Sequence, residues 1–224
     1  MILSIHIPKT AGIRFRDLLR ERFGAGLILH YYHITDATGQ VLAGVPEAAE
    51  CVHGTFRADA LLKRFPQAQL ITWVRDPVDR VISSYYHRLR GSDSAVDGVE
   101  PPRELSLAEY ADHPLVRNEM TRFFGARRPA DFLFVGIVER QERSLARLRR
   151  LFGHDFAPAA REEIVPDGNV PRFVIDAGIR EEIERANAAD MALYRECLVR
   201  DDRESRLEGG ISPDISTVRV ATAW

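Results

Sequence analysis

Lysine is almost missing from this chain. Lys9 and Lys63 are the only two, although Lys and Arg together number 31. Cysteine is as scarce, with Cys51 and Cys197 far apart and in no Cys-x-x-Cys or Cys/His spacing. That excludes a disulfide framework or a zinc finger and leaves two free thiols of a reducing compartment. There is no apolar run long enough to span a bilayer, and no basic-then-apolar leader follows Met1. The expectation is a cytoplasmic chain. Net charge is nearly absent too: 31 cationic residues face 33 acidic ones, for a formal charge of −2. Such a balance argues against a general nucleic-acid binder. No internal repeat is visible.

What is present is an ordinary globular composition, 45% hydrophobic over 224 residues, enough for one domain with a sizeable core. We expect that domain over residues 1–200, with 201–224 as a polar tail, containing Gly209-Gly210, that is flexible or packed on a partner. Short apolar runs alternate with helical stretches, the pattern of an α/β fold with a central parallel sheet flanked by helices. Strands are expected at Ile2 to Ile7, around Cys51 to His53, at Gln69 to Val74 and at Asp131 to Val138. Phe15, Leu18, Leu19 and Phe23 recur at helical spacing, and Gly24 stands where a C-terminal cap belongs. Further helices are expected at Ala58 to Phe65, after Asp76-Pro77, around Val116 to Phe124, at Glu139 to Phe152 and at Ile179 to Val199. Gly91 to Arg103 reads as a surface loop.

Two strand ends carry candidate chemistry. The first strand runs into Pro8-Lys9-Thr10-Ala11-Gly12 and then at once into a helix. Backbone N–H groups at a helix start, the helix dipole, a lysine and a hydroxyl together describe a cradle for phosphate. The Gly-Lys-Ser/Thr ending of the usual phosphate loop is absent. The second strand end is Val74-Arg75-Asp76-Pro77, where Arg75 can fork onto a phosphate, Asp76 can cap a helix and Pro77 takes its first position. Ser83 could donate from the same helix, with Arg80 as its surface neighbour or else paired with Asp76 or Asp79. Two anion sites on one sheet suit a ligand with phosphates at both ends.

These residues resemble a known family. His6-Ile7-Pro8-Lys9-Thr10-Ala11-Gly12 is similar to the 5′-phosphosulfate loop of sulfotransferases, and Arg75-Asp76-Pro77 with Arg80 and Ser83 to their 3′-phosphate motif. The nearest group is the carbohydrate type that includes heparan sulfate 2-O-sulfotransferase and its bacterial relatives. The likeness continues, in order, through Tyr85 to Arg90, Asn118 to Arg122, Phe134 to Arg140 with Ser144, and Asn187, Asp190, Leu193 and Tyr194. It implies a P-loop-like domain using 3′-phosphoadenosine 5′-phosphosulfate (PAPS) and releasing 3′-phosphoadenosine 5′-phosphate (PAP). No metal is required. The implied partners are that nucleotide and a hydroxyl-bearing acceptor, a glycan or glycoconjugate by family analogy.

By the same resemblance, Pro8, Lys9, Thr10, Ala11, Gly12, Ile13, Arg14, Arg75 and Ser83 are the nucleotide-binding candidates. Lys9 would stabilise charge on the leaving oxygen. His53, in Val52-His53-Gly54-Thr55, is the candidate base, at the place of a His-Gly-His element whose second histidine is here Thr55. His30 and His33 are the alternatives. Ile13 and Arg14 stand where relatives carry two hydroxyl residues. Arg88, Arg90, Arg127 and Arg128 either line the path of an acidic acceptor or are solvated. A nucleotide-binding protein without catalysis, and a phosphoryl-transferring kinase, are the competing readings.

Overall fold

The computed structural model describes residues 1–30, 45–90, 101–153 and 175–209. Its centre is a five-stranded sheet in which every adjacent pair is parallel. The strands are β1 (Ile2–Ile5), β2 (Leu27–His30), β3 (Cys51–Gly54), β4 (Gln69–Val74) and β5 (Phe134–Ile137), in the order β2-β3-β1-β4-β5. The helices are α1 (Gly12–Phe23), α2 (Ala58–Leu62), α3 (Pro77–Leu89), α4 (Leu107–Asp112), α5 (Glu119–Phe124), α6 (Gln141–Phe152), α7 (Ala177–Ala186) and α8 (Ala188–Gly209). The expected α/β architecture, a central parallel sheet flanked by helices, is the one found.

Strand periodicity sorts the core onto two faces. Leu3, Ile5, Val52, Leu70, Val74, Val135 and Ile137 pack on one side with α2, α5 and α8 residues such as Leu61, Met120, Phe124 and Cys197. Cys51, Ile71, Trp73 and Phe134 pack on the other with Phe15 and Leu19 of α1 and Leu148 of α6. Burying each large side chain of this kind is worth about 1.5–3 kcal/mol. Gly136 belongs to this packing, since a Cβ there would collide with the Trp73 ring.

Several sequence-based boundaries shift. Leu27–His30 is an edge strand that the sequence pattern did not single out. α4 was likewise unanticipated, although Ser106 and Glu109 form a capping box at its start. The single helix expected over Ile179 to Val199 is two helices, parted at Asn187. α8 then runs through Asp201 to Gly209 without a break, so the boundary drawn at residue 200 falls inside a helix. Asp201 itself is buried, held by Arg140 at 2.9 Å and Arg147 at 2.9 Å from α6 and the turn before it. Residues 210–224 and most of the 91–103 loop lie outside the described residues. Among the described residues, no helix is long and apolar enough to cross a membrane.

Candidate functional site

The carboxyl ends of β1 and β4 lie side by side, because Ile5 pairs with Thr72 in parallel register. The chain leaves β1 through Ile7 and Pro8 and turns sharply. Lys9 (φ 68°) and Ala11 (φ 67°) both adopt left-handed backbone, at roughly 1–2 kcal/mol per non-glycine residue. Strain of this sort persists where surrounding packing fixes the loop. Part of that packing is visible at Gly12, where any Cβ would collide with the His6 imidazole. Gly12 therefore lets the loop close down on His6. Thr10 is buried and its hydroxyl donates to the Ile7 carbonyl at 2.8 Å. That hydroxyl proton is turned inward, so what Thr10 offers outward is backbone.

α1 then starts without a side-chain cap and with no acidic residue in its first turn. Its first N–H groups and positive dipole end are left for an anion from outside the helix. Pro8, Lys9 and Ala11 are part-exposed, whereas Gly12 is buried beneath the turn. The backbones of Ile13 and Arg14 form the first turn of α1; their side chains lie outside the described residues.

The β4 end is built differently. Asp76 caps α3, accepting from Val78 N–H at 3.0 Å and Asp79 N–H at 3.1 Å, and Pro77 occupies the first helical position. Arg75, one residue earlier, points back across the sheet, and its Nη1 donates to the Lys9 carbonyl at 3.4 Å. The two motifs are thus brought into contact. Burial strips water from the Arg75 guanidinium and lowers its pKa, while Asp79, Glu139 and Asp76 oppose that shift. Such a cation is short of hydration and suited to an anionic ligand. Ser83 is buried on α3, two turns along.

Arg80 does not join them. It is fully buried, paired with Glu119 and donating to the Val116 carbonyl at 3.1 Å. Neither Asp76 nor Asp79 is its partner, and of the Arg80–Ser83 pair only Ser83 is left for a ligand. Arg88 is also structural. It is buried, its guanidinium lies 4.6 Å from the Tyr110 ring centre, and it donates to the Pro101 carbonyl at 2.9 Å.

His53 sits on β3 opposite Ser4, on the face covered by α1. Its ring is fully buried, shares a 2.8 Å hydrogen bond with the Ser4 hydroxyl and stacks on His6 with ring centres 5.5 Å apart. Burial, the neighbouring His6 and Arg16 push its pKa down to about 3, against some support from Ser4. Burial, Arg16 and Lys9 push His6 down to about 4. Both imidazoles are neutral near pH 7 and form a layer directly behind the loop. His30 lies in β2 by its backbone, with its side chain outside the described residues, as is all of His33. Among the described residues, no group of three or more His, Cys, Asp or Glu is placed to hold a metal.

The sequence reading missed Glu139. It follows β5, accepts from the Asp76 N–H at 2.9 Å and from the Tyr194 hydroxyl at 2.8 Å, and burial raises its pKa. Its position two residues past the Val74–Ile137 pair, level with Asp76, was the available signal.

The sulfotransferase family matches residues 18–158, a span that begins after the Lys9 loop and includes Arg75 and Ser83. No curated protein is similar enough to count as a relative. Among solved structures, the chain is similar to a sulfotransferase from Alicyclobacillus acidocaldarius, with 14% identity, a TM-score of 0.49, and coverage of 89% of this chain and 95% of that one. It is also similar to the mouse sulfotransferase SULT7A1 complexed with PAP, with 15% identity and a TM-score of 0.44. That likeness covers 85% of this chain but only 65% of the mouse protein's length.

Proposed function

The chain belongs to the sulfotransferase family, and from that premise we propose that it transfers a sulfuryl group from PAPS to a hydroxyl of an acceptor, a saccharide or glycoconjugate. The observation that supports this reading is the reach of Arg75 to the Lys9 carbonyl, 3.4 Å, which joins the two strand ends that carry the candidate anion motifs. Lys9 and the backbone of Thr10, Ala11, Gly12, Ile13 and Arg14 would hold the 5′-phosphosulfate. Arg75 and Ser83 would hold the 3′-phosphate.

In the reaction the bond from sulfur to the bridging phosphate oxygen breaks and a bond from sulfur to the acceptor oxygen forms. The Lys9 ammonium would offset charge that develops on the bridging oxygen, as a preorganised cation does. The acceptor hydroxyl gives up its proton, and His53 is the sequence-based candidate to receive it. Its burial and its pKa near 3 favour a different service, support of the loop from behind. Those same features, with Thr55, favour a second reading in which the chain binds nucleotide without turnover.

Calorimetry with PAP and AMP tests the nucleotide assignment. PAP should bind clearly more tightly, and Arg75→Ala should remove most of the difference, since a charged hydrogen bond contributes about 1.5–3 kcal/mol. Equal affinities in the unaltered protein would sink it. A sulfuryl-transfer assay over a panel of hydroxyl acceptors separates the enzyme from the binding protein.

A further inference from the structure

We propose that Glu139 and Tyr194 are a positioning pair that sets Arg75 in place for the 3′-phosphate. The inference rests on the nucleotide reading above and adds two residues that act on Arg75 through its neighbour Asp76. β4 and β5 run parallel with Val74 opposite Ile137, so Asp76 and Glu139 emerge level with each other. One carboxylate oxygen of Glu139 takes the Asp76 N–H at 2.9 Å, and the other takes the Tyr194 hydroxyl at 2.8 Å. Both oxygens are engaged, one by the turn that carries Arg75 and one by a buried ring of α8.

The consequence for Arg75 is geometric. Asp76 is the cap of α3, and its own side chain is spent on Val78 and Asp79. Its backbone N–H belongs to the peptide unit joining Arg75 to Asp76. Fixing that N–H fixes the orientation of the peptide plane, and with it the direction in which the Arg75 side chain leaves. The negative charge of Glu139 also favours the cationic form of Arg75 while no anion is bound. Tyr194 keeps the carboxylate from swinging onto Arg75 itself, because its ring is packed in the core on the α8 side. A guanidinium held on line loses less freedom when a phosphate arrives, and preorganisation of this kind raises affinity and selectivity.

The test is the ratio of PAP to AMP affinity, which a purely structural residue would leave alone because both nucleotides would weaken together. Glu139→Ala should lower the ratio about tenfold, the size expected when the Asp76 N–H loses its acceptor and the arginine its fixed direction. Tyr194→Phe, which keeps the buried ring and removes one hydroxyl, should lower it about threefold. Glu139→Gln keeps an acceptor oxygen for the Asp76 N–H and should hold the ratio within about twofold. Equal affinities in the unaltered protein would remove the nucleotide reading on which the pair depends. A protein that discriminates, and still does so fully as Tyr194→Phe and Glu139→Ala, would overturn the positioning role alone. If Glu139→Ala does not fold, Tyr194→Phe and Glu139→Gln carry the test between them.

Discussion

The knot between α5 and α8 and the turn between β1 and α1 treat their helix starts in opposite ways. In the knot, Asn118 accepts from Ala189 N–H at 3.0 Å and Asp190 N–H at 3.2 Å, capping α8. Asp190 returns the favour to α5, accepting from Met120 N–H at 3.1 Å and Thr121 N–H at 2.7 Å. Asn187 takes the Asn118 N–H at 3.0 Å and gives its own amide to the Ile183 carbonyl at 3.0 Å. Arg80 and Glu119 pair beneath them. At the β1–α1 turn the helix start has no side-chain cap, no first-turn carboxylate, and two strained residues ahead of it. Polar groups that satisfy one another inside the chain hold a shape. A helix start with neither cap nor carboxylate of its own keeps its first N–H groups and positive dipole end unmatched within the helix.

This contrast is broken most forcefully through Glu119. Glu119→Ala strands the fully buried Arg80 guanidinium, and removal of one partner of a buried pair costs about 3–5 kcal/mol. Urea unfolding should register that loss, while PAP affinity per folded molecule stays within about twofold. An unchanged unfolding midpoint would mean that the knot does not hold the fold.

Lys9→Ala should behave in the opposite way. Loss of a preorganised charge at a reacting oxygen typically lowers turnover about 10²–10³-fold. The unfolding midpoint should stay close to its original value, because alanine keeps the left-handed strain and the knot between α5 and α8 does not involve Lys9. A variant with near-normal turnover would strip Lys9 of its chemical role.

The smallest effect is a slope against pH. His53 and His6 have folded pKa values near 3 and 4 against an ordinary 6.5. As pH falls below about 6.5 the unfolded chain takes up protons that the native layer refuses. Their contribution is therefore complete above that pH and is lost progressively towards pH 4, at up to about 1.4 kcal/mol per pH unit for each histidine. Stability measured from pH 7 to 4.5 should show this slope, and His53→Asn should reduce it. The same variant sharpens the role of His53. A direct base would cost about 10²–10⁴-fold in turnover, and support of the loop less than tenfold.

Much of this was legible locally. The β4 strand, the Asp76-Pro77 start of α3, the glycine stop of α1 and the sharp turn after β1 depend on patterns a few residues long, and each formed where its pattern lies. Asp76 as a cap needs only Val78 and Asp79, two and three residues away. What the sequence could not decide was which distant groups would meet. Arg80 has the spacing of a neighbour to Ser83, yet Glu119, far along the chain, claimed it. Asn187 breaks an otherwise continuous helical pattern because Asn118 needs its carboxamide, a demand invisible at positions 179–199. Whether His53 faces the cleft or α1 depended on pairing with Ser4 in β1 and on the two-residue period of the strand, since a one-residue slip would reverse it. Local chemistry thus determined the elements and the turns at the ends of β1 and β4. Strand order and register, set by long-range burial, decided which side chains were left for a ligand and which were used to hold the protein together.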